Sequence, residues 1–402
     1  MNEQNGSAAR DPGGRVFGIV PVGEHSAIAR LLLAFLGTAG LFYVNIMPAL
    51  VSGLIDGLGF SNREAGLVGS ANMYGAAVGA IVAVFLVKKV PWRASCVCLF
   101  LGLITLDSLS MLVSDAVLMT GLRFVHGCVG GMSVGIAFSV MARTTEADKT
   151  FGYLLVVQYS LGGLGIMLLP PLVPEFGTWV LFAALITFSA ITLCMVPFLP
   201  DYPQRDKIVA STDNDANAIQ RFPLALTLAA LFLFQAANMG LFAYIIGMGR
   251  YYGLEQAFIG TWLAIASWAG VLGSMLVIFL SIRYGRFMPL AAGILITTLG
   301  TFLLHWSGVP WIYALANFGV GITWAFVIPY LLGMCAAFDA SGQTAALGGF
   351  ASKMGLASGP AVAALFMTGD SYTLIINIAV GGLLLCLLVM SMPALLLDKS
   401  AA

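Results

Sequence analysis

The chain has 402 residues, 60% of them hydrophobic and 9% charged, with a mean hydropathy of +0.97. Soluble domains run closer to ~45–50% apolar and ~25% charged, so an ordinary globular enzyme is excluded. Eighteen basic residues against eighteen acidic ones leave no net charge and no basic surface for nucleic acid.

A bilayer core of ~30 Å takes about 20 apolar residues as a helix. Such runs occur twelve times: 28–54, 65–87, 94–113, 117–141, 151–173, 178–198, 223–247, 258–281, 288–306, 311–334, 345–367 and 373–396. They predict an all-α membrane protein of twelve transmembrane helices. Residues 1–27 form a hydrophilic tail without the apolar core and cleavage site of a signal peptide. Residues 28–198 form a first six-helix bundle, 223–396 a second, and 397–402 a short tail. The stretch 199–222 between the bundles is polar, with Asp201, Arg205, Asp206, Lys207, Asp213, Asp215 and Arg221. Cys96, Cys98, Cys128, Cys194, Cys335 and Cys386 all lie inside apolar runs without a ligand-like cluster, so neither disulfides, nor a metal, nor another cofactor is expected.

Lys and Arg set the orientation. With the N-terminus inside, fourteen basic residues fall on the cytoplasmic side, Arg63 and Arg250 fall outside, and Arg123 and Lys353 lie within spans. Both termini and the central linker are therefore expected in the cytoplasm of a cell bounded by a bacterial inner (plasma) membrane.

The chain also repeats itself. A shift of 194 residues lays Gly59, Gly66, Gly79, Phe85 and Leu86 on Gly253, Gly260, Gly273, Phe279 and Leu280. The same shift puts Gly127 on Gly321, Gly165 on Gly359, Arg123 on Asn317 and Tyr159 on Lys353. Two parallel six-helix halves, related by an axis along the membrane normal, account for that register.

The fourth run reads Arg123-Phe124-Val125-His126-Gly127-Cys128-Val129-Gly130-Gly131, an Arg followed four residues on by Gly and then by small residues. The loop after the eighth run is Arg283-Tyr284-Gly285-Arg286. Together with the duplicated twelve-span plan, these segments resemble the major facilitator superfamily of secondary transporters. In two places the sequence departs from the family's pattern. Val87-Lys88-Lys89-Val90-Pro91-Trp92-Arg93 lacks the usual Asp and Gly of the first-half loop, and Gln158-Tyr159-Ser160-Leu161-Gly162-Gly163 lacks the Gly-Pro signature of drug antiporters. The resemblance implies that spans 1, 4, 7 and 10 line a central cavity, flanked by 2, 5, 8 and 11.

Charged side chains in mid-bilayer need a partner, a cavity or a role. Lys353, about ten residues into the eleventh run, lies ~15 Å deep and is a candidate cationic contact for an anionic substrate. A structural ion pair or a neutral lysine is the alternative. Arg123 and Asp107 count to a similar depth, so Arg123 either grips substrate or pairs with Asp107. His126, one turn from Arg123, is either a proton carrier or a satisfied hydrogen bonder. Tyr43, Asn45, Gln158, Tyr159, Gln235, Asn238, Asn317 and Trp324 complete the substrate-binding set, some of them serving instead as interhelical glue. Asp107, His126, Asp56 and Glu64 are the proton-coupling candidates.

No phosphate loop or catalytic carboxylate pair appears, so the chain is not read as an enzyme. The expected activity is alternating-access transport of a small or medium organic anion of the carboxylate type, by proton symport, uniport or exchange. Export of drugs or hydrophobic metabolites is the alternative within transport, and a transport-inactive sensor or scaffold the alternative outside it. The expected partners are that small molecule, protons and the lipid bilayer, with no nucleic acid, and the protein is read as a monomer.

Overall fold

The computed structural model describes residues 21–86, 90–144, 146–202, 221–280, 283–338, 343–367 and 372–401. The tail up to residue 20, the linker over 203–220, Lys88 and Lys89, and the ends at 87 and 281 of two apolar runs lie outside the described residues.

Among the described residues ten helices are long and apolar enough to cross a bilayer. In the first half these are α4 (Asn62–Leu86), α5 (Trp92–Ser110), α6 (Ala116–Met141), α7 (Ala147–Phe176) and α8 (Trp179–Met195). In the second half they are α9 (Arg221–Phe242), α11 (Gln256–Leu280), α12 (Phe287–Leu303), α13 (Pro310–Ala337) and α15 (Thr373–Ala401). The eleventh run is α14 (Gln343–Phe366), equally long but less apolar, because Ser352, Lys353 and Ser358 dilute it. The first run departs from a continuous helix. It is divided into α1 (Ala27–Ala39), α2 (Phe42–Asn45) and α3 (Met47–Leu58). The seventh is likewise divided, into α9 and α10 (Ile245–Tyr251).

Local chemistry sets several of these ends. Ser26 caps α1 by accepting from the Ala29 amide, and Asp115 caps α6 by accepting from the Leu118 amide. Ser61 and Glu64 form a capping box at α4: the Glu64 amide donates to Ser61 Oγ, and the Ser61 amide donates to Glu64 Oε2. The two breaks share one conformation. Ile46 has φ −107° and ψ 18°, Tyr244 has φ −108° and ψ 7°, and each starts the last segment of its span. That segment ends in both halves on a left-handed glycine, Gly59 (φ 69°) and Gly253 (φ 81°), with Tyr244 standing one turn closer to its glycine than Ile46 does.

The repeat is a repeat of contacts. A Cβ on Gly127 would be driven into the Asn72 carbonyl, and one on Gly321 into the Ala266 carbonyl. Gly79 meets the Cys128 carbonyl where Gly273 meets that of Ile322. Gly165 packs on Ile46 where Gly359 packs on Gly240. Each partner is displaced by the same 194 residues as its glycine. The glycines therefore hold α4 on α6, α11 on α13 and α14 on α9 at backbone distance, and seat the Ile46 side chain of the first span against α7, the close approach that small residues allow in lipid. Phe85 and Phe279, also one repeat apart, both face outward at 68% and 67% exposure, as lipid-facing side chains do.

Call the end of the bundle that carries Gly59, Gly177 and Gly253 the glycine end, and the opposite one the basic end, where Arg30, Arg93, Arg143, Arg221 and Arg286 lie. One hydrophobic core runs through the first half and crosses at the glycine end onto Ile245, Ile246, Ala363, Tyr372 and Ile375. A second core, around Leu231, Leu290, Leu331, Met334 and Met390, is confined to the second half at the basic end. Between the halves α4 packs on α14 and α7 on α11. Gly66 meets Ala364 and Tyr244, and Gly260 meets Met167, all towards the glycine end.

The backbone contacts make a sharp prediction about alanine substitutions. Gly127→Ala and Gly321→Ala should each lower the yield of monodisperse protein in detergent, measured by size-exclusion chromatography. Gly121→Ala and Gly319→Ala, whose Cβ would meet nothing within 4 Å, should leave it unchanged.

Candidate functional site

Two polar constellations sit inside the membrane-spanning bundle, and they differ in kind. The first is a closed network in the first half. Arg123 Nη1 donates to Asp107 Oδ1 at 2.7 Å, and Nη2 donates to the Leu106 carbonyl at 3.1 Å and to Ser110 Oγ. The guanidinium also lies 5.1 Å from the Phe182 ring and 5.9 Å from that of Tyr43. Arg123 and Asp107 have no exposed surface.

His126 is held in the same network. Its Nε2 lies 3.3 Å from the Asp107 carboxylate, and its Nδ1 lies 2.8 Å from Asn72 Nδ2, which also donates to the Arg123 carbonyl at 3.1 Å. Since Asn72 Nδ2 is a donor, His126 Nδ1 accepts and Nε2 carries the hydrogen that points at Asp107. The neutral tautomer fits this arrangement. A proton on Nδ1 would face another donor, and turning the Asn72 amide to receive it would set two oxygens against each other at the Arg123 carbonyl. The network therefore ties α4, α5 and α6 together with its charges cancelled.

The second constellation is a cavity of about 350 Å³. Its polar and aromatic lining comprises Asn45, Gln158, Tyr159, Gln235, Asn238, Phe242, Ser267, Ser274, Thr301, Asn317 and Trp324, set among Leu41, Met239, Leu263, Val320 and Leu356. Seven of the ten sequence-predicted binding residues lie in this wall. Arg123, Tyr43 and Lys353 do not. Tyr43 packs on His126 with ring centroids 5.8 Å apart, and Arg123 is turned towards Asp107. Lys353 is half-buried one turn from Leu356, with no carboxylate within 4 Å among the described residues.

The expectation that span 4 lines the cavity meets a different arrangement: α6 contributes none of the lining, and α7 and α11 contribute Leu155, Gln158, Tyr159, Leu263, Ala266 and Ser267. The physical reason is the pairing of Arg123 with α5. It aims the charged face of α6 into its own bundle, while the glycine-rich crossing of α7 and α11 leaves their polar faces on the cavity.

The remaining proton-coupling candidates are also engaged. Glu64 serves the capping box described above. Asp56 receives Arg250 Nη1 at 2.6 Å, and Arg250 Nη2 also bonds Ser52 Oγ. Asp56 on α3 and Arg250 on α10 are 194 residues apart, so this ion pair joins equivalent positions of the two halves across the pseudo-twofold axis. It was legible in the repeat register as soon as both residues were placed at the glycine end. At mid-depth Tyr74 Oη pairs with Ser358 Oγ at 2.8 Å, Ser267 Oγ donates to the Tyr159 carbonyl, and Trp268 Nε1 to that of Ser160, both at 3.2 Å. Nearer the glycine end Tyr244 Oη donates to the Asn62 carbonyl at 2.8 Å. These links join the halves from mid-depth to the glycine end. Towards the basic end, Gly79, Gly273 and Gly348 pack on helices of their own half.

The profile of the Major Facilitator Superfamily matches residues 31–364. The chain belongs to the major facilitator superfamily. Its fold is similar to a crystal structure of the nucleoside transporter NupG, at TM-score 0.70 and 14% identity over 91% of this chain and 98% of that one. A mutant of NupG gives TM-score 0.72 at 13% identity over 91% and 99%. A mutant of the peptide transporter POT gives 0.73 at 14% identity over 96% and 97%. Comparison with curated protein sequences gives no match. As a member of this superfamily the protein is an integral, multi-pass membrane transporter of small molecules, not an enzyme.

Two predictions follow from the site's electrostatics. Asp107→Ala leaves a buried guanidinium uncompensated and should cost ~3–5 kcal/mol, seen as a lower melting temperature in detergent. The double variant Asp107→Leu/Arg123→Met should recover most of that loss; an equal loss in both contradicts charge neutralisation as the network's role. Arg250→Gln, in a cysteine-free background carrying Ala364→Cys, should speed maleimide labelling at residue 364 several-fold by loosening the glycine end. An unchanged rate would show that the ion pair does not hold that end closed.

Proposed function

We propose that the protein carries an uncharged, ring-containing polar solute through this cavity by alternating access. The observation that carries this reading is the make-up of the wall. Tyr159, Phe242 and Trp324 offer ring surfaces and five amides offer hydrogen bonds, while no charged side chain lines the cavity among the described residues. An apolar wall with a few placed polar groups, in a volume of about 350 Å³, suits a small organic molecule. The bias of basic residues supports placing both termini and the basic end in the cytoplasm, of a bacterial inner membrane on this reading. The links at the glycine end then make the present arrangement the inward-open one. The cavity is enclosed by two halves of one chain, so a monomer suffices.

With Asp107 and His126 closed into their network, and Asp56 paired to Arg250, uniport or exchange is the favoured mode over proton symport. A second reading, transport of an organic anion, is favoured by one observation: Lys353 lies one turn from the wall without a carboxylate partner among the described residues.

Uptake into proteoliposomes tests both. Radiolabelled adenosine, uridine and pyridoxine stand for uncharged ring compounds, benzoate and 4-hydroxyphenylacetate for anions. The expected outcome is saturable uptake of an uncharged compound, insensitive to an imposed pH gradient and reduced at least tenfold by Trp324→Ala. Uptake confined to the anions and abolished by Lys353→Ala would establish the second reading instead.

A further inference from the structure

The second half presents two cavity amides whose hydrogen bonding is half used. Asn238 Nδ2 donates to the Phe234 carbonyl at 2.8 Å, one turn back in α9. Asn317 Nδ2 donates to the Tyr313 carbonyl at 2.8 Å, one turn back in α13. Each back-bond fixes the orientation of the amide: Nδ2 spends one of its two hydrogens, and Oδ1 stays uncommitted. Asn238 is 5% exposed, and its Oδ1 is buried without a partner. Asn317 is half-buried, and its Oδ1 has no protein partner among the described residues.

Thr301 apart, the other polar groups of this wall are engaged, Ser274 Oγ among them through the Gly270 carbonyl. Trp324 Nε1 donates to Gln235 Oε1, and Gln235 Nε2 donates to Ser352 Oγ, both at 2.7 Å. Ser267 Oγ donates to the Tyr159 carbonyl. The second half therefore presents two uncommitted carbonyl oxygens, Asn238 Oδ1 and Asn317 Oδ1, beside the second N–H of each amide and the Thr301 hydroxyl of the peripheral α12. The opposite wall differs: Asn45 Nδ2 is a buried donor without a partner, and the Gln158 amide and the Tyr159 hydroxyl are uncommitted among the described residues, so this wall can meet acceptors as well as donors.

Resting on the reading of this cavity as the transport site, we propose that the second half selects substrates by their hydrogen-bond donors, through Asn238 Oδ1 and Asn317 Oδ1. The substrate class is then an uncharged solute with at least two N–H or O–H groups on the face that meets α9 and α13. A buried acceptor without a partner is costly, so a solute bearing donors relieves that cost and a donor-free analogue leaves it in place. Selection is therefore strong against the loss of donors and weak against changes of ring size.

The test is isothermal titration of the purified full-length protein with adenosine, uridine and pyridoxine, with their fully N- and O-methylated analogues, and with benzoate. The expected result is that at least one parent compound binds and its methylated analogue binds roughly tenfold or more weaker. Asn317→Leu should remove most of that difference by weakening the parent alone, and Asn238→Leu should do the same. A structural role for either amide would instead weaken parent and analogue equally. Methylated analogues binding as tightly as their parents would overturn donor selection and leave the uncharged-solute reading standing. Binding of benzoate with none of the uncharged compounds would overturn that reading, and donor selection with it.

Discussion

Two helices can touch backbone to backbone inside a bilayer only where a side chain is missing, and this constraint sets the form of the whole molecule. Gly127 against Asn72 and Gly321 against Ala266 are the same contact made twice, as are Gly79 against Cys128 and Gly273 against Ile322. Lipid tails give no hydrophobic drive for helices to associate, so close packing has to supply it. The contacts bind each set of six helices into a stiff unit, in which a single methyl group is too much.

Stiff halves move against each other only if their shared surface is easily opened, and the polar chemistry is divided accordingly. Within the first half, charge is buried and cancelled: Arg123, Asp107, His126 and Asn72 bond one another away from the cavity, with Arg123 Nε left without a partner. Among the described residues the charged link between the halves is Asp56 to Arg250, and each of these side chains keeps about a third of its surface exposed. Exposed pairs of this kind contribute ~1 kcal/mol or less, which suits a contact that must break in each cycle. The cavity wall takes a third course. Its amides are partly back-bonded, partly paired with Trp324 and partly free, so polarity is presented without a fixed charge.

Much of this was legible in the sequence. Twelve apolar runs, the 194-residue register and seven of the ten proposed binding residues follow from hydropathy, repeat and depth alone. Depth, however, does not reveal azimuth. Arg123 and Asp107 were matched in level, but which of two faces Arg123 presented depended on how α6 is rotated against α5, which hydropathy does not encode. Lys353 shows the same limit, at mid-depth as counted yet outside the wall. The breaks at Ile46 and Tyr244 leave no trace in hydropathy, since both residues are apolar and stand in apolar runs. The Asp56–Arg250 pair was available to the register but needed both residues at one end of the bundle before it meant anything.

The central claim is that two rigid halves rock about this cavity, closing one end as the other opens. Paired spin labels in a cysteine-free background, reconstituted in nanodiscs, measure it directly. One pair at exposed positions 63 and 257 reports on the glycine end, another at 142 and 337 on the basic end. Double electron–electron resonance should give two distances at each end with inverted populations, so that any condition lengthening one pair shortens the other. Distances that stay single and fixed at both ends, or that lengthen together, would contradict the account.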